Sequence, residues 1–140
     1  MAIKQLSVFV ENKKGSLHEI TDVLSKAGID LRSMCVADTH DFGIVRIITT
    51  EPERAREILT KEGHAANVRE VVAFAVPDIP GGLATVLNLL ENRGVNIEYL
   101  YALVTRTVGK AYTVMRTDNT DHTEEILKRE GIELLDEESI

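Results

Sequence analysis

The chain has 140 residues, 44% hydrophobic and 28% charged, enough for one ordinary domain or two very small globular ones. A net charge of −7 and an aromatic content of 4% argue against a nucleic-acid partner, which asks for a basic face and a stacking platform. The longest apolar runs are strand-sized, the first residues lack an apolar signal core, and the single Cys35 forbids an internal disulfide. The expectation is a cytoplasmic protein with no membrane span.

Ile3 to Val10 alternates with a period of two and predicts a first strand. Glu11 to Gly15 is a bend. Ser16 to Ala27 predicts a helix, with Leu17, Ile20, Val23, Leu24 and Ala27 at helical spacing. Ser16 and Glu19 have the spacing of a capping box, and Gly28 is placed to stop the helix. Ile29 to Ala37 and Gly43 to Thr50 read as strands joined by a short polar turn, a hairpin. Pro52 opens a second helix that buries Ala55, Ile58 and Leu59 and ends before Gly63. Ala66 to about Glu70 is a brief fourth strand.

The pattern then restarts. A shift of 66 residues lays Gly15 on Gly81, Leu17 on Leu83, Gly28 on Gly94 and Gly43 on Gly109. Later the shift is 68, with Gly63 on Gly131, and the two extra residues are expected in Thr117 to Asp121. Each copy reads β-α-β-β-α-β, the ferredoxin-like pattern. The expected fold class is α+β: two such domains in tandem, residues 1–70 and 71–140, with antiparallel sheets and helices on one face. No Gly, Pro or Ser lies between Ala66 and Val76, so no flexible linker is expected. The acidic tail Asp136-Glu137-Glu138 is expected to fray. Strands such as Val71 to Val76 are apolar on both faces. A second sheet, from a dimer partner, is the economical cover for the helix-free face.

Asp78-Ile79-Pro80-Gly81-Gly82-Leu83 lies between a strand and a helix. Such a bend leaves the first helical N–H groups free at a mildly positive helix end, a place for a carboxylate. Asn12-Lys13-Lys14-Gly15-Ser16-Leu17 is a degraded form of it. Its lysines favour extra negative charge on a guest.

These features resemble the ACT domains, small amino-acid-sensing modules. Val76-Pro77-Asp78-Ile79-Pro80-Gly81-Gly82-Leu83 is similar to the family's D-x-P-G-x-L signature, and Gly94-Val95-Asn96-Ile97 to its G-I-N-I continuation. Gly28-Ile29-Asp30-Leu31 keeps the second element in the first copy, whereas its bend lacks the proline. The resemblance covers essentially the whole chain and is to the stand-alone tandem type. It implies a free amino acid bound at the domain interface, between the bend of one domain and the second strand of its neighbour. The implied amino-acid-binding residues are Asn12, Lys14, Gly15, Ser16, Leu17 and Leu31 in the first copy. In the second they are Asp78, Ile79, Pro80, Gly81, Gly82, Leu83, Asn96 and Ile97. The carboxylate would meet N–H groups of Gly15 to Leu17 or Gly81 to Leu83. The ammonium would seek Asn12, Asp78 or strand carbonyls near Leu31 and Ile97.

Blander readings weigh against other chemistries. Asp78 to Gly81 taken alone is an ordinary turn. His18, His40, His64 and His122 are scattered, which makes no metal site. Cys35 on an apolar strand reads as a small hydrophobe, and Tyr99 and Tyr101 read as packing as readily as a pocket lining. No catalytic motif or paired carboxylates occur. The expectation is therefore a non-catalytic, allosteric amino-acid sensor without cofactor, a homodimer that acts on a separately encoded metabolic enzyme. The alternative is a ligand-free dimerisation and interaction module that regulates a separately encoded metabolic enzyme.

Overall fold

A computed structural model describes residues 2–38, 40–104 and 107–140, with Asp38 through its backbone alone. Contacts divide it into two units, residues 4–69 and residues 70–140 together with 1–3.

The first unit contains β1 (Ile3–Glu11), α1 (Ser16–Lys26), β2 (Leu31–Asp38), β3 (Phe42–Thr49), α2 (Pro52–Lys61) and the start of β4 (Ala66–Pro77). β3 lies between β2 and β1, and β4 begins beside β1. The second unit takes the rest of β4, then α3 (Gly82–Asn92), β5 (Ile97–Leu103), β6 (Lys110–Thr117), α4 (Thr120–Arg129) and β7 (Glu133–Leu135). Here β6 lies between β5 and β4, and β7 pairs with β4. Each unit thus has the ferredoxin-like strand order, and the two ferredoxin-like domains expected from the sequence are present. β4 is one unbroken strand of 12 residues where a brief strand and a separate strand were expected.

Each helix covers its sheet through one apolar stripe. Ile20, Leu24, Ala55 and Leu59 meet Leu6, Val8, Val45 and Ile47 in the first unit. Val86, Leu90, Ile126 and Leu127 meet Val72, Phe74 and Met115 in the second. Fully burying a side chain of this size stabilises by roughly 1.5–3 kcal/mol before entropy is counted. Val71, Ala73 and Val114, on the other strand faces, are also buried in the single chain, at most 1% exposed.

Among the described residues, the four α-helices stop the same way. A glycine at φ +72 to +89 follows each last turn, at Gly28, Gly63, Gly94 and Gly131. The residue after it donates back to the last turn but one: Ile29 to Leu24, His64 to Leu59, Val95 to Leu90 and Ile132 to Leu127, at 2.9 to 3.0 Å. These are Schellman turns, which satisfy the last carbonyls of the helix.

Three expectations need correction. The two extra residues of the second copy lie in the β5–β6 hairpin, not in Thr117 to Asp121. Leu31 pairs with Thr49 and Ile97 with Thr117, offsets of 66 and 68 across one ladder. Gly43 is therefore not the counterpart of Gly109. Gly109 has φ +84, whereas Gly43 does not take a positive φ. A hairpin loop absorbs an insertion without moving the register on either side. The capping box is not formed: the N-cap is Gly15 and no side chain caps α1. The acidic tail, finally, folds into a turn over Glu137–Ser139, whose Ser139 donates to Asp136 from N at 2.9 Å and Oγ at 2.8 Å. No described helix is long and apolar enough to cross a membrane.

Candidate functional site

The two bends reproduce each other bond by bond. Lys13 N donates to Glu11 O and Ile79 N to Pro77 O, both at 2.9 Å. Ser16 N reaches Lys13 O at 3.3 Å, and Gly82 N reaches Ile79 O at 3.1 Å. Glu19 N donates to Gly15 O and Thr85 N to Gly81 O, both at 3.0 Å. Gly15 and Gly81 sit at φ 88 and 86 as N-caps, where the left-handed backbone selects glycine, and neither helix has a side-chain cap. Ser16 N and Gly82 N are thus spent within the bends, and the N–H groups of the next two residues, Leu17 and His18 or Leu83 and Ala84, are left to solvent or to a guest.

The bends differ in tightness. A Cβ on Gly82 would lie 2.3 Å from the carbonyl oxygen of Pro77, so the second bend admits glycine there. The first bend carries Ser16 at that position. Proline at 80 and this close approach distinguish the second bend from the first.

The sequence-predicted residues fall into separate groups. Within each unit, bend and second-strand start lie at opposite ends of the sheet. Val10, just before the first bend, pairs with Gly43, while Leu31 pairs with Thr49. Six residues of β3 separate the two places, about 20 Å at strand spacing. No single amino acid touches Leu31 and the Gly15 bend of the same unit, and Ile97 and the Gly81 bend are related in the same way. Leu31 instead lines a shallow cavity of about 460 Å³ with Thr21, Ser25 and Gly28. Asn96 is tied to Asp118, donating from N to its Oδ1 at 3.2 Å. Asn12 donates its amide Nδ2 to His40 O at 3.3 Å. Lys13 faces Glu11 at 3.2 Å, which offsets the extra positive charge expected at the first bend. Lys14, Asp78, Ile79 and Pro80 are exposed. Leu83 packs against the core, and Leu17 is 40% exposed.

Each bend also floors a cavity that the sequence motif did not announce. In the second unit it has a volume of about 840 Å³ and is walled by Val76, Gly81, Gly82, Val86, Leu89 and Ile132. Lys110 and Glu133 also line it and form an ion pair, Nζ to Oε2, at 2.6 Å. The Glu133 carboxylate holds the Lys110 ammonium above the ordinary lysine range, first through this hydrogen bond and then through its charge. In the first unit the corresponding cavity is about 360 Å³, and His64 Nε2 approaches Glu19 Oε1 within it at 3.5 Å. The sequence reading missed Lys110, Ile132 and Glu133 because they belong to a strand start and a helix–strand turn far along the chain. The repeat held the clue, since Gly63-His64-Ala65 corresponds to Gly131-Ile132-Glu133. Among the described residues no three His, Cys, Asp or Glu side chains converge as a metal site.

A family model described as an ACT domain pair matches residues 1–140. The crystal structure of a protein from Bacteroides thetaiotaomicron is similar over 96% of this chain and 92% of that one, with 42% identity and a TM-score of 0.90. The ligand-free regulatory subunit of aspartate kinase from Thermus thermophilus has 12% identity and a TM-score of 0.65, covering 90% and 91% of the two chains. The same subunit from Thermus flavus has 13% identity and a TM-score of 0.63, covering 90% of each chain. At such identities the kinase subunits bear on the fold alone. No curated protein matches.

Proposed function

We propose that this chain, which belongs to the ACT domain-pair family, is a non-catalytic regulatory protein that binds a free amino acid at its bends. The observation that carries the reading is the duplicated bend. Two left-handed glycine N-caps, each opening an uncapped helix, present N–H groups and a positive dipole end to a carboxylate. Asp78, exposed beside the second bend, offers an anion to the ammonium group. Gly82 and Pro80, which match the family signature, favour the second bend as the stronger site. Binding regulates when the ligand prefers one conformational or assembly state over another, and a separately encoded metabolic enzyme is the proposed reader of that state. The proposed setting is cytoplasmic, with neither nucleic acid nor membrane as partner.

Titration calorimetry and thermal shift against the twenty amino acids test this reading. At least one should raise the melting point at millimolar concentration, because ligand that binds the folded state stabilises it by mass action. A flat response to all twenty overturns the reading.

A second reading is a ligand-free dimerisation module. It draws on exposed apolar side chains of the first unit: Phe9 at 52%, Phe42 at 58%, Met34 at 41% and Val36 at 44%. Phe9 and Phe42 are diagonal neighbours across the β1–β3 ladder, a small apolar patch suited to a second copy. Light scattering on wild type and Phe9→Ser/Phe42→Ser separates the readings. Dimer loss with ligand response intact supports the sensor, whereas a dimer without any ligand response supports the module.

A further inference from the structure

The two cavities are the same place in two copies of one fold. Each of the eleven residues lining the first-unit cavity has its counterpart among those lining the second. Their chemistry differs. Glu19 corresponds to Thr85 and His64 to Ile132, so the pair that spans the first cavity has no equivalent in the second. Phe9 corresponds to Ala75, which removes a ring from the wall. Phe42 corresponds to Lys110 and Ala65 to Glu133, so of the two cavities the second alone carries this ion pair.

Resting on the amino-acid reading above, we propose that the second-unit cavity selects an amino acid with a large apolar side chain, and that the first-unit cavity, smaller and without the ion pair, does not bind it. The guest's zwitterion matches the groups at hand. Its carboxylate meets Lys110 and the uncapped start of α3, and its ammonium meets Glu133, which lines the cavity where Asp78 does not. Its side chain lies among Val76, Val86, Leu89 and Ile132. A charged side chain there would lose water without a partner, which makes lysine or aspartate a poor guest. The volume, within the range of small-molecule sites, admits leucine or phenylalanine. In the first unit the Glu19–His64 pair and the Phe9 ring line a cavity of about 360 Å³ against about 840 Å³, with no counterpart of the Lys110–Glu133 pair to hold a zwitterion, so one guest binds per chain.

The test is calorimetry on the full chain with leucine, phenylalanine, lysine, threonine and aspartate. Leucine or phenylalanine should bind at one equivalent per chain, at least about tenfold more tightly than the polar three, as loss of one or two buried methylenes' worth of contact gives. Lys110→Gln and Glu133→Gln should each weaken binding about fivefold, as expected for a half-exposed charge pair. Thr85→Glu/Ile132→His, which installs the first-unit pair in the second cavity, should abolish it. The thermal melt of that variant without ligand reports its folding. If it fails to fold, Leu89→Arg, at the same wall, takes its place. Full affinity in the folded closing variant, two equivalents per chain, or a preference for a polar amino acid overturns the inference while the amino-acid sensor stands. Silence toward all twenty amino acids overturns both.

Discussion

The position of a Cβ on Gly82 falls 2.3 Å from the carbonyl oxygen of Pro77, closer than any real pair of such atoms. Both atoms are fixed to the backbone, so neither can rotate away. Gly82→Ala should therefore cost roughly 1–3 kcal/mol, the range for forcing atoms into a packed place. Urea denaturation measures it. Ser16→Ala, at the matching position of the first bend, should change stability by less than about 0.5 kcal/mol.

Gly28 and Gly94 hold φ of +72 and +74, and a side-chain carbon added at either would have nothing within 4 Å. Space is not the constraint there; backbone handedness is. Alanine at either position should destabilise by about 1 kcal/mol, the cost of a left-handed conformation for a residue with a Cβ. Equal losses at both sites, read by denaturant midpoints, would reflect the shared Schellman geometry.

Phe74 is fully buried in the second unit's core, whereas Ile79 at the tip of the bend is 65% exposed. Phe74→Ala should cost about 3–5 kcal/mol and Ile79→Ala less than about 0.5 kcal/mol. The pair separates stability from binding. If Ile79 contributes to ligand capture, its variant melts like wild type without ligand and loses the shift with it.

The pair Lys26–Asp22, at 2.9 Å on α1, titrates at both ends of the pH scale. The hydrogen bond from Lys26 holds the Asp22 carboxyl below the usual aspartate range, and the same bond holds Lys26 above the usual lysine range. A lowered carboxyl contributes stability above its unfolded value and loses it as pH falls through the folded one. A raised ammonium contributes below its unfolded value and loses it as pH rises through the folded one. The difference in melting point between wild type and Asp22→Asn should therefore be small and flat between about pH 5 and 9, and shrink below about pH 3.5.

The frame of the fold was legible because it is written locally. Apolar spacing placed α1 to α4, and Gly28, Gly63, Gly94 and Gly131 marked their ends, each with a bond closed between near neighbours in the chain. Letter patterns misled where backbone geometry outranks them. Ser16 and Glu19 have the spacing of a capping box, yet the left-handed Gly15 takes the cap position. Gly43 and Gly109 match at a shift of 66, yet the ladder pairs Gly43 with Val10 and Ala111 with Val76, so the match is a coincidence of hairpin glycines. The candidate site was half legible. The bend is contiguous in sequence, but its cavity needs the start of β6 and the turn after α4, which meet it through strand pairing alone.

The four Schellman turns have a consequence for divergence. Helices of 11, 10, 11 and 10 residues are each terminated by their own neighbours, so helix length does not depend on what the flanking cavity contains. A duplicated unit built this way can exchange histidine for isoleucine beside its stop glycine without changing where the helix ends. The punctuation is kept and the wording between the marks is free to drift, so the two copies line chambers of about 360 and about 840 Å³ with different side chains while their helices end alike.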